Sequence, residues 1–299
     1  MSCTRSITAV LAAAGARLGA ASGSPMLDAE LLLARVMGLT RAQLLARGDQ
    51  ELPPDVRLGF EQLAARRRRG EPLAYILGTK DFWSLTLEVE PAVLVPRPET
   101  ELLVELALAA GDAQAAGDAL STENENAPAP PRRTHVADLG TGSGAIALAI
   151  AVERPSWKVI ATDSSSTALA VARRNARRHG LERVELVHGD WLQPLAGRKL
   201  DVIVSNPPYL AADDPALAQP ALCFEPQAAL TDGADGLTQL LHIARAARAQ
   251  LFDGGTLLLE HAPDQGARLR AELVALGYRH VRSHRDLAGR ERATEARHP

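Results

Sequence analysis

The sequence predicts an α/β protein, a doubly wound and mostly parallel sheet preceded by a small all-helical domain. Three observations carry that expectation. From His135 onward, short apolar runs alternate with helix-length segments, the pattern of repeated βα units. The stretch Asp138-Leu139-Gly140-Thr141-Gly142-Ser143-Gly144 falls where the first such run hands over to the first helix. Before residue 80, by contrast, apolar residues recur at helical spacing.

Residues 1–80 form the expected helical domain. Ile7, Val10, Leu11, Ala14 and Leu18 make one stripe of an amphipathic helix. Arg17 interrupts what would otherwise resemble a signal-peptide core, so a folded helix is expected there. Asp28–Met37 carries Leu31, Leu32 and Val36, and Thr40-Arg41-Ala42-Gln43 has the spacing of a capping box. Pro53-Pro54 opens a longer helix that reaches Arg66-Arg67-Arg68-Arg69 and stops at Gly70. Four arginines there complement the negative end of the helix dipole. A solvated helix end is the first expectation and a contact for an acidic partner the second.

Residues 81–100 are expected to be a β-hairpin linker. Alternation runs through Phe82–Glu90 and Val93–Val95 before Pro96-Arg97-Pro98 breaks it. The unit from 101 to 299 opens with a helix over Leu102–Ala110. Residues 111–134 hold too little apolar surface to offset their ordering entropy and are expected as a flexible loop. Strands are expected at His135–Leu139, Lys158–Asp163, Val184–His188, Leu200–Ser205 and Thr256–Glu260. Between and after them fall helices at Ala145–Glu153, Ser165–His179, Leu237–Leu251 and Ala267–Leu276, then a hairpin from Tyr278 to about Ala296. Sheets of this kind bind ligands at the carboxyl ends of their strands.

Composition narrows the function classes. A net charge of −3 argues against binding nucleic acid by bulk electrostatics. The two cysteines, Cys3 and Cys223, form neither a disulfide framework nor a CxxC metal site, so no metal is expected and a reducing cytoplasm fits. No run approaches the roughly 18 apolar residues of a membrane span. A monomeric cytoplasmic protein is the expectation.

The glycines at 140, 142 and 144 let the backbone turn tightly and approach a ligand. Gly140, Gly142 and Ala145 also satisfy the dinucleotide spacing, so this loop is ambiguous between NAD and S-adenosylmethionine. Asp163, 23 residues after Gly140, ends the second strand, where a carboxylate can accept from both ribose hydroxyls or cap the following helix. Trp191, in Gly189-Asp190-Trp191 at the end of the third strand, can cover an adenine face or belong to the core, and Asp190 can take the exocyclic amine. The fourth strand separates the two cofactors. It delivers Asn206-Pro207-Pro208-Tyr209, a stiff loop with carbonyl acceptors and one aromatic ring, suited to holding an NH2 on an sp2 carbon. Hydride transfer would instead call for a His, Lys or Tyr acid-base group there. Methyl transfer from S-adenosylmethionine is the chemistry these residues favour.

The chain resembles the HemK/PrmC family of peptide chain release factor N5-glutamine methyltransferases. The likeness runs through Gly70–Gly78, Phe82-Trp83, Pro96–Glu101, Asp138–Gly144, Gly189–Trp191, Asn206–Tyr209, Phe224-Glu225-Pro226, Asp232–Leu237 and Asp286–Arg290. It implies a Rossmann-like methyltransferase domain whose substrate is the glutamine of a Gly-Gly-Gln motif in release factors. It places S-adenosylmethionine at Gly140, Thr141, Gly142, Ser143, Gly144, Asp163, Trp191 and Asn206, and the glutamine at Asn206, Pro207, Pro208 and Tyr209; Asn206, Pro207 and Tyr209 are the expected catalytic residues. All candidate cofactor residues lie after 135, so the helical domain, with no chemistry of its own, is expected to dock the protein substrate. The chain departs from the family pattern in a longer 111–134 segment, in Cys223, and in Ala and Pro within Glu260-His261-Ala262-Pro263. An adenine N6-methyltransferase of DNA or RNA is the alternative. It needs a basic surface, and residues 1–98 hold 12 Lys and Arg against 10 Asp and Glu, which supports it only weakly.

Overall fold

Apolar stripes at helical spacing close the first unit, Met1–Thr79 with Ala218–Phe224. A computed structural model describes residues 6–19, 22–122 and 133–299. Helix α1 (Ile7–Leu18) is capped by Ser6, whose hydroxyl accepts from the Ala9 amide at 3.3 Å. Helix α2 (Pro25–Met37) starts on proline and ends on Gly38 at φ 64°. The capping box opens α3 (Arg41–Leu45): Gln43 N donates to Thr40 Oγ1 at 3.2 Å and Thr40 N to Gln43 Oε1 at 3.0 Å. Helices α4 (Pro54–Arg68) and α5 (Leu73–Leu77) complete the unit. Ile7, Leu11, Leu18, Leu32, Leu33 and Phe60 fill its core.

The arginine run divides. Arg67 donates to the buried Asp28 at 2.6 Å and Arg66 grips Glu71 through two bonds of 2.8 and 2.5 Å, so both are structural. Arg68 and Arg69 are exposed. The next residue, Gly70, takes φ 91°, and a Cβ on it would lie 2.7 Å from Pro220 Cβ, which is how the 218–224 segment seats in this unit.

The second unit comprises Lys80–Leu217 and Glu225–Pro299. Strands β1 (Thr79–Phe82) and β2 (Leu85–Glu88) form a separate two-stranded sheet. Val93–Val95 is not strand: the Val95 amide donates to Glu225 Oε2 at 3.0 Å instead of to a neighbouring strand. Helix α6 (Glu101–Thr122) runs well past Ala110, so the expected 111–134 loop is helical up to Thr122. Gly111, the first residue past the expected helix end, sits mid-helix against Trp157, where a Cβ would fall 2.3 Å from the ring. Asp112 then pairs with Arg154 through bonds of 3.0 and 2.6 Å. The rest of that expectation, residues 123–132, lies outside the described residues.

The main sheet takes in β3 (His135–Leu139), β4 (Lys158–Asp163), β5 (Glu185–His188), β6 (Leu200–Ser205), β7 (Leu251–Glu260), β8 (Arg279–Arg285) and β9 (Glu291–Arg297). Its order is β5-β4-β3-β6-β7-β9-β8, with β5 to β7 parallel and β8 and β9 antiparallel. Helices α7 (Ala145–Glu153), α8 (Ser166–Arg178), α9 (Thr238–Ala247) and α10 (Gly266–Ala275) cover it. Strand β7 begins five residues before the expected Thr256, because Gly254 at φ 75° and the register shift between Leu200 and Val202 carry the strand through a bulge that hides it in the sequence. Register sets the functional geometry. Leu139 pairs with Thr162 and Ser205, and Ser205 with Leu259, so Gly140, Asp163, Asn206 and Glu260 emerge at one level on one edge.

Replacing Gly111 with alanine should raise intrinsic helix propensity by about 1 kcal/mol yet destabilise the protein by about 1–3 kcal/mol, because overpacking on Trp157 outweighs it. A denaturant melt showing a more stable Gly111→Ala protein would contradict this packing.

Candidate active site

The glycine turn that follows β3 is held from both sides by carboxylates. Gly140 and Thr141 amides donate to Thr162 O at 2.9 and 3.0 Å, and the Gly142 amide donates to Asp163 Oδ2 at 2.9 Å. The other Asp163 oxygen accepts from Ser165 N at 2.8 Å, so its helix-side role is filled while lone pairs remain on the cleft. Beneath the turn, Asp138 accepts from Thr141 Oγ1 at 2.6 Å and from the Ala147 amide at 3.1 Å. Burial, with the nearby Asp163 adding to it, pushes the Asp138 carboxyl up to about 7 against the bonds that hold it down.

Beyond the turn lies a cleft of about 320 Å³, walled by Val93, Gly140, Gly142, Asp163, Trp191 and Asn206 among others. Asp190 and Pro208 also reach it. Gly142, at φ 56°, has no atom within 4 Å of where a Cβ would stand, which leaves its backbone open to a ligand. Trp191 is fixed by its indole N–H, which donates to Gln239 Oε1 at 3.0 Å, and by its carbonyl, which accepts from Thr162 Oγ1 at 2.9 Å. Its ring lies over Gly140, where a Cβ would be 2.9 Å away. Thr141 and Ser143 are buried and turned inward, the Ser143 carbonyl accepting from Asn175 Nδ2 at 2.9 Å. Gly144, at φ 88°, starts α7 with Leu148 close behind it.

At the end of β6, Asn206 Nδ2 donates to Thr100 Oγ1 at 3.1 Å. Pro207 is buried. Tyr209 is not on the cleft wall: its hydroxyl donates to Glu260 Oε1 at 3.2 Å and its ring packs on the core beside β6. Burial and the Glu260 charge raise the Tyr209 phenol well above its usual range, so it is neutral. Glu260 is fully buried, which lifts its carboxyl to about 7 while Thr100, Arg292 and Tyr209 pull it down. Gln265 locks this loop in place: its Nε2 donates to Tyr209 O at 2.8 Å and Gly236 O at 3.2 Å, and its Oε1 accepts from Ala262 N at 2.9 Å.

Asp138, Thr100, Glu260 and Gln265 were not among the sequence candidates. A carboxylate closing an apolar strand was the available signal for two of them; nothing local marks Thr100 or Gln265. Among the described residues, no cluster of three or more His, Cys, Asp or Glu is placed to hold a metal ion, and no helix is long and apolar enough to cross a membrane.

Residues 9–78 match the family described as PrmC N-terminal domain, and residues 125–235 match the Methyltransferase small domain. A release factor glutamine methyltransferase of Pseudomonas aeruginosa is 48% identical over 91% of this chain and 92% of its own. Those of Coxiella burnetii and Escherichia coli are 44% and 42% identical, over 94% and 93% of this chain and 95% and 94% of theirs. Among solved structures, the hMettl16 catalytic domain in complex with MAT2A 3'UTR hairpin 6 superposes with a TM-score of 0.52 at 15% identity, over 79% of this chain and 81% of that one, a likeness of fold.

A parallel sheet with an open glycine turn, a flanking carboxylate and an amide-bearing loop at one edge defines an S-adenosylmethionine-dependent methyltransferase. The chain belongs to the family of release factor glutamine methyltransferases.

Two outcomes follow from this geometry. Asp163→Ala should weaken S-adenosylmethionine binding by roughly 1.5–3 kcal/mol, the scale of a bond to a charged group. Unchanged affinity in calorimetry would leave Asp163 only its two backbone partners. The raised Asp138 carboxyl binds its proton more tightly folded than unfolded. Its contribution to stability is therefore full below about pH 4 and is lost as pH rises towards 7. Between pH 5 and 8, Asp138→Asn should flatten the fall of Tm in the ligand-free enzyme; an identical slope in the two proteins would count against the shift.

Proposed function

We propose that the enzyme transfers a methyl group from S-adenosylmethionine to the side-chain amide nitrogen (N5) of the glutamine in the Gly-Gly-Gln motif of peptide chain release factors. The observation that carries this is the orientation of Asn206. Its NH2 is engaged by Thr100, so its carbonyl oxygen is the end available to an incoming N–H. The names of relatives 42–48% identical support a protein glutamine over an adenine in nucleic acid.

In this reading Gly140–Gly144, Asp163 and Trp191 hold the cofactor. Bound there, S-adenosylmethionine supplies a methyl carried on a sulfonium. A glutamine amide nitrogen is a poor nucleophile because its lone pair is delocalised into the carbonyl. Asn206 Oδ1 and the Pro207 carbonyl accept its two N–H bonds, which orients the nitrogen and favours the positive charge that develops on it. Pro207-Pro208 keeps that loop stiff, and Tyr209 anchors it through Glu260. The nitrogen gains carbon and gives up one proton to water, and the sulfonium becomes a neutral thioether. The helical unit grips the release factor, with the exposed Arg68 and Arg69 on its docking surface. The enzyme works as a cytoplasmic monomer without stable nucleic-acid binding.

Labelled cofactor offered with release factor, DNA or RNA tests the assignment; label in DNA or RNA alone would overturn it. Asn206→Ala should cut turnover at least about 100-fold with the fold intact, the scale of a lost transition-state contact. Arg68→Glu with Arg69→Glu should raise KM for intact release factor without changing cofactor affinity. Equal KM values would remove these arginines from the docking surface.

A further inference from the structure

Two stretches that carry the family likeness, one around Arg97 and one around Glu225, have no part in the chemistry above, and the structure joins them. The Glu225 side chain is 1% exposed and both its oxygens are used: Oε1 accepts from Arg97 Nη2 at 2.5 Å and Oε2 from the Val95 amide at 3.0 Å. A buried ion pair is a poor source of stability, because taking two charges out of water costs about as much as their attraction gives. What the carboxylate adds is geometry, two acceptors at a fixed spacing. The segments it joins are walls of the cleft. Ala92, Val93 and Leu94 precede the clasp on one side and Pro226, Ala228 and Ala229 follow it on the other; all six line the cleft and none has a polar side chain. Its polar lining, Asp163 and Asp190 among it, comes from the ends of β4 and β5. Neither apolar wall belongs to the sheet: Ala92–Leu94 has no strand partner and Gln227–Ala229 is a single 3-10 turn, so strand register does not set their spacing.

We propose that Glu225 is a positioning residue for the cofactor: by holding Val95 and Arg97 together it sets the spacing of the two apolar walls, so the cleft is formed before an adenosine group enters. This rests on the reading of the cleft as the S-adenosylmethionine site. Glu225 itself does not line the cleft; it acts through the walls. Without the clasp the walls are competent in only a fraction of the molecules, and apparent affinity falls by that fraction. Glutamine is the discriminating replacement. It has the size of glutamate, but one acceptor becomes an NH2, which sets donor against donor at Val95 or at Arg97.

The test combines S-adenosylmethionine binding by calorimetry, steady-state methylation of intact release factor and hydrogen exchange. The proteins are wild type, Glu225→Gln, Arg97→Met, Arg97→Lys and the double variant Glu225→Gln with Arg97→Met; Asp163→Ala and Trp191→Ala are references. Glu225→Gln and Arg97→Met should each weaken cofactor binding about 10-fold or more, as when a tenth of the molecules or fewer hold competent walls. KM for the cofactor should rise alike while kcat at saturating cofactor stays within about 3-fold. Arg97→Lys, which keeps the charge and a donor, should restore most of the affinity. The double variant should bind no worse than the weaker single one, as for two halves of one contact. Without cofactor, the amides of 93–95 and 228–230 should exchange faster in Glu225→Gln, and cofactor should slow them. Should Glu225→Gln fail to fold, the Met and Lys pair at 97, where the side chain is 35% exposed, carries the test. Wild-type affinity in Arg97→Met and Glu225→Gln, or a loss confined to kcat, overturns the proposal. Weak binding by the references beside normal binding by Glu225→Gln overturns the clasp and leaves the cofactor site standing. Wild-type binding by both references overturns the cofactor site and the proposal with it.

Discussion

The interaction on which the site depends is the bond from a main-chain N–H to a carboxylate placed at the end of a strand. Where a parallel strand stops, its successor residues lose their ladder partners while still enclosed by neighbouring loops, and their donors need acceptors. Asp163 supplies them to Gly142 and Ser165, and Asp138 to Ala147. Carboxylates in loops do the same: Glu225 for Val95, and Asp232 for Ala234, Gly236 and Thr238 at 2.8 to 3.0 Å. Each carboxylate offers two oxygens and several lone pairs, so one side chain fixes a whole turn. Two carboxylates, Asp163 and Asp190, line the cleft, which suits a ligand bearing a sulfonium.

A second tie joins the hairpin to the glycine turn. Asn175, fully buried on α8, accepts from Glu88 N at 2.6 Å and donates to Glu88 O at 3.0 Å, imitating a neighbouring strand. The same NH2 reaches Ser143 O. Arg174 adds ion pairs to Glu88 and Glu90 at 3.0 and 2.9 Å. Strand β2, at the edge of a small sheet, is thus held by a helix, and the glycine turn gains support from residues some 55 positions earlier in the chain.

Much of this was legible because periodicity and punctuation agree along the chain. The strand boundaries of β3, β4 and β6 follow from apolar runs that end at Gly, Asp and Asn-Pro. The departures fall at two glycines. The helix expected to end at Ala110 runs on through Gly111, a contact point for Trp157, and the strand expected from Thr256 starts earlier, with Gly254 inside β7. Both depend on what the glycine meets in space, which spacing along the chain does not carry. The same limit hid Thr100, Gln265 and the split of the arginine run: partners such as Asp28 for Arg67, 39 positions apart, are fixed only by the packing of α2 against α4.

The helical unit is assembled from two stretches of chain, Met1–Thr79 and Ala218–Phe224, with β1 to β6 synthesised between them. On the ribosome, Gly70 waits for Pro220 until more than two thirds of the protein has emerged. A helical unit that elsewhere would fold first, as amino-terminal domains generally do, here finishes late. Its last piece arrives just after Asn206–Tyr209, whereas Glu260 and Gln265, which hold that loop in place, follow later still, so the helical unit can close before the loop after β6 is fixed.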